Sequence, residues 1–550
     1  MGNIFELCQK YLKKNIKLLI VYGILCLCSS IFAMISPYLS GNFIDCLVVT
    51  QSSKMIYRYC ILFLFIAAFS QILGYLVNRL FTKLQTKLAF EFNKDMIGHV
   101  QKLSLSYINK QDMAYLNQRI NNDTNMLITF CISIIQGIII NSLKLIVCFF
   151  LLINYSFYIT ILLIIILAFY IFTYRLLKNI LFKARYMLTE SQANYFSKLY
   201  EQLNNIIFIK VQAINNEFIQ RLEKEFKSIF KVTLDYQKVN YIFSSMDSAV
   251  MSFAQICIFI MGGLSVIKGK LTIGQLTIIL SYFNVMMESA SFFFSLTKTI
   301  QENRVAYIRL KKIMDQQTYE ENGEILQEIN IIELKNITFA YSEKIIFQNF
   351  NYIFEKGNIY SIIGSNGSGK STLIKLMLGL FNKEIGGEIY YNGKIIWKLN
   401  KHEIRKWCFG ISEQEPILLP DTVKYNILLD DNKDLDLNEL YYIAEKINLN
   451  TLLEKLPMGL ETIINEKNSN FSGGEKQKIS LARVFYKNPS VIIMDEPTSA
   501  LDDKSSECLK NYLCQIKDDK IIIIITHNPI FLSISDYVIN LEDQLEEKNF

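Results

Sequence analysis

Two short stretches of this sequence carry residue types that could hold an anion. The first is GSNGSGKST, residues 364–372, which follows the apolar run YSII and precedes the helical pattern LIKLMLGL. Gly364, Gly367 and Gly369 let the backbone turn its N–H groups inward around phosphate oxygens. Lys370 adds a positive charge beside the β and γ phosphates, and the Ser371 hydroxyl suits Mg²⁺. The second stretch is NFSGGEKQ, residues 470–477. Ser472, Gly473 and Gly474 precede the helical run KQKISLARVFYK, so their N–H groups and the helix dipole make a second anion site. A plain helix N-cap by Ser472 is compatible with that reading. One nucleotide does not need both loops from one chain, which leaves open what the second loop would hold.

Further candidates lie at the ends of β-rich runs, where an open α/β sheet places its chemistry. SVIIMDE (490–496) ends in two acids. Asp495 is expected to hold Mg²⁺, directly or through water, and Glu496, one residue further out, to orient and deprotonate an attacking water. His527 follows KIIIIIT and is expected to contact a γ-phosphate. Gln414, in GISEQEPILLP, follows another short run, and its amide could ligate Mg²⁺ and touch the water. His99 and His402 have no such surroundings and are expected at the surface.

Positioning these groups falls to residues 331–550, where IIELKNITF, NIYSIIG, SVIIMD and KIIIIIT alternate with helical stretches. That alternation predicts a parallel sheet with crossover helices. The preceding part of the 550-residue chain differs: residues 1–313 hold six long apolar runs, 18–36, 60–78, 127–153, 155–174, 249–267 and 275–297. Each is near or above the ~18 residues of a membrane span, and lipid offers the backbone no partners, so these runs should be helices. The intervals 79–126 and 175–248 keep helical periodicity and predict helices reaching far into the cytoplasm. Residues 314–330 are acidic and polar and read as a linker.

Composition agrees: 51% apolar residues and a mean hydropathy of +0.23 are high for a water-soluble protein. The net charge of +6 is too mild to argue for nucleic acid. Eleven cysteines without metal-type spacing read as small buried hydrophobes in a reducing compartment. Lys10, Lys13, Lys14 and Lys17 before the first run, Arg79, Lys83 and Lys87 after the second, and Arg175 and Lys178 after the fourth place both termini in the cytoplasm. Lys54, Arg58, Lys268 and Lys270 would then lie outside.

In this order, the elements resemble the ATP-binding cassette superfamily, and within it a half-size exporter, over nearly the whole chain. The resemblance implies a multidomain fold: a six-helix all-α transmembrane domain (1–313), a linker (314–330) and an α/β P-loop, RecA-like nucleotide-binding domain (331–550) with an antiparallel β subdomain and a helical subdomain. It implies that Tyr341, in NITFAY, stacks on the adenine of ATP. Gly364, Ser365, Asn366, Gly367, Ser368, Gly369, Lys370, Ser371 and Thr372 are then the Walker A loop, and Gln414 is the Q-loop glutamine. Phe471 to Glu475 is the signature, Asp495 closes Walker B, and Glu496 is the catalytic base. Ser499 to Asp502 is the D-loop, and His527 is the switch histidine.

ATP with Mg²⁺ is the implied ligand, clamped between the Walker A loop of one chain and the signature of a second half-transporter, identical or not. Membrane lipids and a transported substrate are the other implied partners, with no nucleic acid, and the expected location is a bacterial plasma membrane. Two departures stand out. FSGGE replaces the common LSGGQ, and INEKNSN, with Asn465 and Asn468, replaces a glycine-containing stretch while keeping Glu466.

By the same resemblance the long intracellular helices end in tips near 105–115 and 205–213, received by EPILLPDTVKYNI after Gln414. Lys144 and Glu288 interrupt apolar runs and are expected to face a central cavity, as a pair or as substrate contacts. The expected activity is ATP-driven export of a peptide or amphipathic small molecule by alternating access. A lipid flippase and an ATP-gated channel or regulator are the alternatives. Only ~17 residues precede the first span, too few for a leader-cleaving peptidase.

Overall fold

The computed structural model describes every residue except 1, 51–52, 110, 112, 317, 319–322, 342–343, 382–384, 431–435, 465–470 and 543–550. Asn465, Glu466 and Asn468 therefore lie outside the described residues. The chain divides into two compact units, Met1–Gln101 with Met113–Gln316, and Lys102–Asp112 with Gln317–Phe550.

The first unit is helical: α1 (Gly2–Lys14), α2 (Ile16–Asp45) and α3 (Ser53–Gln101) come before a single-turn α4 (Leu105–Ile108) that belongs to the second unit. It resumes with α5 (Met113–Tyr155), α6 (Phe157–Asn204), α7 (Ile206–Val211), α8 (Asn215–Ile267) and α9 (Ile273–Met314). Among the described residues, five helical segments are long and apolar enough to cross a membrane, on α2, α3, α5, α8 and α9, and α6 adds the shorter apolar stretch Phe157–Thr173. Ser156 separates the third and fourth apolar runs by capping α6, its hydroxyl accepting from the Ile159 N–H. Helices α3, α5, α6 and α8 run 49, 43, 48 and 53 residues. At ~1.5 Å per residue each is more than twice the ~30 Å thickness of a hydrocarbon layer.

Small residues and buried polar groups fix the helix packing. A Cβ on Gly274 would lie 2.0 Å from the Gly41 carbonyl oxygen, so these two glycines set the closest approach of α2 and α9. Beside them the Asp45 carboxylate accepts from the Thr272 hydroxyl at 2.6 Å and the Gly274 N–H at 2.7 Å, a negative charge at the start of α9. Arg309 of α9 grips Asp123 of α5 through two hydrogen bonds of 2.9 and 2.5 Å. His99, expected at the surface, is half-buried instead. Its Nε2 lies 3.0 Å from the Ile313 carbonyl oxygen, because α9 packs along that face of α3. Lys144 is half-buried on α5 and Glu288 exposed on α9; no described hydrogen bond or ion pair joins them, so the chain does not pair them internally.

The second unit begins, after α4, with β1 (Ile331–Tyr341), β2 (Lys344–Glu355), β3 (Ile359–Ile363) and α10 (Lys370–Met377). It continues through β4 (Gly386–Tyr391), β5 (Lys394–Ile395), α11 (Lys401–Cys408), β6 (Phe409–Ser412), α12 (Val423–Leu428), α13 (Leu437–Lys446) and α14 (Asn450–Leu453). Then come α15 (Gly473–Lys487), β7 (Val491–Asp495), α16 (Asp503–Ile516), β8 (Ile521–Ile525), α17 (Pro529–Leu532) and β9 (Tyr537–Asn540). A parallel sheet of order β6-β7-β8-β3-β9 carries helices on both faces, and an antiparallel sheet of order β2-β1-β4-β5 stands beside it. The period of two divides β8 between two cores. Ile521, Ile523 and Ile525 face the core shared with the antiparallel sheet, whereas Ile522 and Ile524 face the core under α15. IIELKNITF, read with the parallel strands, forms antiparallel β1 instead; its mixed buried and exposed positions suit a strand covered on one face.

The turn holding α4 is part of this unit. Leu103 is buried and bridges to Thr318, and the Leu105 N–H donates to the Leu380 carbonyl at 3.4 Å. Gly379, at φ 63°, ends the helical stretch just before Leu380 and frees that carbonyl. One described hydrogen bond thus ties this tip to the end of α10.

Candidate functional site

The phosphate-type loop Gly364–Thr372 leaves the end of β3 and opens α10. Gly364 and Gly369 take φ of 149° and 104°, a region L side chains avoid, and a Cβ on Gly369 would strike Ile346 and Phe347. Lys370 folds its ammonium back onto the carbonyls of Gly364 and Ser365, the latter at 3.1 Å. The Ser368 hydroxyl is buried with no hydrogen-bond partner among the described residues. An orphan hydroxyl inside a glycine-rich loop that opens a helix fits a phosphate as its missing partner. Asn366 and Gly367 complete the outer turn of the loop, and Thr372 is buried on the first turn of α10.

Two acids close the neighbouring strand β7. Asp495 Oδ2 lies 3.4 Å from the Ser371 hydroxyl, so a hydroxyl and a carboxylate meet as a hard-cation donor pair would require. Burial pushes the Asp495 carboxyl up and the charge of Glu496 adds to this, against the hydrogen bond from Ser371. Glu496 holds φ at 44°, a strained value for a residue with a side chain. Its N–H is tied to the Ile525 carbonyl at 2.9 Å, and its carboxylate accepts from Gln414 Nε2 at 2.9 Å. His527 sits two residues past β8, exposed and without a described hydrogen bond, while its neighbour Asn528 is fixed to Thr498 at 3.2 Å. Tyr341 ends β1, 39% exposed, with its ring edge-on to Phe339 at 5.0 Å.

Ser472 caps α15 in a reciprocal box. Its Oγ accepts from the Glu475 N–H at 3.3 Å, and Glu475 Oε2 accepts from the Ser472 N–H at 2.7 Å and hydroxyl at 2.8 Å. A Cβ on Gly474 would meet the Ala500 carbonyl oxygen at 2.5 Å, so glycine lets the following loop lie against the helix start, and Gly473 sits beside it. No described hydrogen bond joins Ser472–Gly474 to the loop 364–372. Asp502 caps α16 by accepting from the Ser505 N–H at 3.2 Å, and the Ser505 side chain, with smaller help from Lys478 and that N–H, holds its carboxyl below the usual range.

The structure brings Ser371, Asp495, Glu496 and Gln414 together through two hydrogen bonds. It also adds residues the sequence reading missed. Glu542, after β9, places Oε1 2.7 Å from the Ser365 N–H, a carboxylate resting on the phosphate-type loop. Gln477 reaches Ser412 at 3.1 Å in a buried polar cluster, tying α15 to the strand that leads to Gln414. A polar residue on the buried face of α15 was the only available signal for Gln477, and nothing local marked Glu542.

Residues 19–290 match the family described as ABC transporter transmembrane region, and residues 347–499 match the one described as ABC transporter. Two Staphylococcus aureus proteins, from strains bovine RF122 / ET3-1 and COL, are each 26% identical over 464 residues, 83% of this chain and 80% of theirs. Both are named as multidrug export ATP-binding/permease proteins. A solved bacterial Atm1-family ABC exporter with ATP bound shares the fold, with a TM-score of 0.81 at 18% identity over 97% of this chain and 94% of that one. A membrane family followed by an ATP-binding family in one polypeptide, with a phosphate loop and paired strand-end acids in the second unit, identifies this chain as a member of the ABC transporter family: an integral multi-pass membrane protein of half-size exporter type that couples ATP hydrolysis to transport.

Proposed function

We propose that this half-transporter exports amphipathic small molecules, driven by two ATP molecules clamped between two cassettes. Half-transporters of this family function as dimers. The observation that carries the reading is the division of the anion sites: the loop 364–372 and the capped helix start at Ser472 share no described hydrogen bond within one chain. Each is half of a phosphate site, and a second copy in the opposite sense completes both. All residues for two competent sites are present in one sequence, so two identical chains suffice. The tip α7 supports the same arrangement, because Ile207, Phe208 and Val211 are 75%, 55% and 73% exposed, an apolar surface suited to a partner cassette. Export of drug-like amphiphiles follows the names of the staphylococcal relatives.

In this mechanism Tyr341 stacks on adenine, and the N–H groups of the loop with Lys370 and Ser368 hold the β and γ phosphates. Ser371, Asp495 and Gln414 would hold Mg²⁺, which supplies neutralisation of phosphate charge. Glu496 orients water and takes its proton as oxygen attacks the γ-phosphorus and the bond to the bridging oxygen breaks. His527 contacts the γ-phosphate, and Asp502 lies beside the partner's nucleotide. The basic flanks of the spans put both termini in the cytoplasm, so ATP is hydrolysed there and cargo leaves outward.

Cysteines at Ser368 and Ser472, in a chain whose exposed Cys60 and Cys514 are replaced, test the clamp. A cross-link between polypeptides is expected under ATP with Glu496→Gln. Failure to cross-link under those conditions sinks the proposal.

A further inference from the structure

Glu288 is the one carboxylate on the apolar window of α9 that borders a cavity. The cavity, about 260 Å³, is lined by Tyr170 of α6, Met251 of α8, and Met287, Glu288 and Ser291 of α9. Glu288 lies about 22 Å along the helix from Ile273, the first residue of α9, and about 15 Å before Lys298, the next charged residue in the sequence. Neither distance is within reach of a glutamate side chain. Among the described residues, its carboxylate has no hydrogen-bond or ion-pair partner, and Lys144 does not supply one. Lysine at a similar depth can carry its charge toward an interface along its flexible stem, whereas glutamate cannot.

An ionised carboxylate in an apolar layer without a partner is costly, and a cation arriving from outside removes that cost. The other lining groups fit a cation with an apolar body. Two methionine thioethers adapt to varied shapes, and the Tyr170 ring offers a π face. A second hollow of about 320 Å³, among Leu145, Ile146, Phe149, Leu152 and Met286, has no charged residue in its described lining. We propose that Glu288, with Tyr170, Met251 and Met287, forms a cargo site selective for lipophilic monovalent cations. This inference rests on the exporter reading for its transport meaning, but not for binding.

The test uses the purified full-length protein, with tetraphenylphosphonium as the cation and triphenylphosphine oxide as a neutral probe of similar shape. Equilibrium binding without nucleotide is expected to weaken about ten-fold or more for the cation in Glu288→Gln, as when a charge-assisted contact is lost. Glu288→Asp is expected to retain cation binding, and the neutral probe to bind Glu288→Gln as it binds the parent chain. Equal cation binding by parent and Glu288→Gln overturns the site. So does a loss in Glu288→Gln that is the same for both probes, since that marks a structural role. In proteoliposomes the parent is expected to move the cation when ATP is supplied. A parent that binds the cation selectively through Glu288 but moves neither probe supports the binding site and overturns the proposed export of such amphiphiles.

Discussion

Gln414 Nε2 donates to Glu496 Oε2 across 2.9 Å, joining the loop after β6 to the acid that follows β7. The bond aims the carboxylate of a residue already held at a strained φ of 44° and anchored through its N–H to Ile525. Strain at such a position persists only where its surroundings enforce it.

Glu496→Gln tests this arrangement most directly. The glutamine carbonyl oxygen can still accept from Gln414, so the geometry survives while the basic group is lost. Steady-state phosphate release should fall by roughly 10²–10⁴-fold, the usual worth of a general base. ATP should still bind and hold two chains together, measured as retained nucleotide on the isolated dimer. Hydrolysis near the parent rate would assign the base elsewhere.

Glu542→Gln tests the carboxylate on the phosphate loop. The Ser365 side chain first, and then its N–H, hold the Glu542 carboxyl below the usual range, with Lys370 assisting. It therefore stays charged at neutral pH and opposes an incoming phosphate. Its depressed value stabilises the nucleotide-free fold above the ordinary glutamate range, about 4.3, and that contribution is lost as pH falls through the lower folded value. Glu542→Gln should bind ATP and ADP more tightly at pH 7, and the difference from the parent should shrink as acid protonates Glu542. Fluorescent-nucleotide titration across pH measures both. Identical affinities at pH 7 would mean that the carboxylate leaves the loop without opposing the phosphates.

Much of this site was legible because its chemistry is local. Gly364–Thr372, Asp495–Glu496 and Ser472–Gly474 are contiguous strings whose glycines, hydroxyls and acids have few other uses at strand ends and helix starts. The apolar runs likewise carried the helical unit, although the helix break falls at Ser156, inside the run 155–174. What escaped depends on partners distant in sequence. Glu542 lies 177 residues from Ser365, and His99 meets the Ile313 carbonyl 214 residues away. The antiparallel fate of IIELKNITF depends on β2 and β4 pairing with it, which no pattern within nine residues records. The bond from Leu105 to Leu380 was equally out of view, because it depends on the helix end made by Gly379.

Glu475→Gln separates two roles of one carboxylate. Glu475 satisfies the N–H and hydroxyl of Ser472 and adds negative charge at the start of α15. In the proposed clamp the same charge would oppose a partner's γ-phosphate. Glutamine preserves the reciprocal cap without the charge. The nucleotide-free protein should lose about 0.3–1 kcal/mol of stability, while closure should need about two- to five-fold less ATP, both from the worth of a charge at a helix N-terminus. Thermal unfolding and ATP-dependent cross-linking read the two effects separately. Closure requiring more ATP would show that the carboxylate assists the clamp.

Asp123 and Arg309 offer a test of the helical unit. Asp123 is 3% exposed and accepts two hydrogen bonds from a guanidinium on another helix, so removing Arg309 leaves a buried carboxylate offset only in part by the nearby charge of Arg119. For fully buried pairs that loss is roughly 3–5 kcal/mol. The Arg309 side chain is 38% exposed, and solvent then screens part of the interaction, so Arg309→Met should cost about 1–3 kcal/mol. Adding Asp123→Asn should recover part of the loss, since the amide needs no counter-charge. A double-mutant cycle on thermal unfolding of the purified protein measures the coupling. Additive losses would mean that the two side chains contribute independently and that the bidentate bond does not hold α5 to α9.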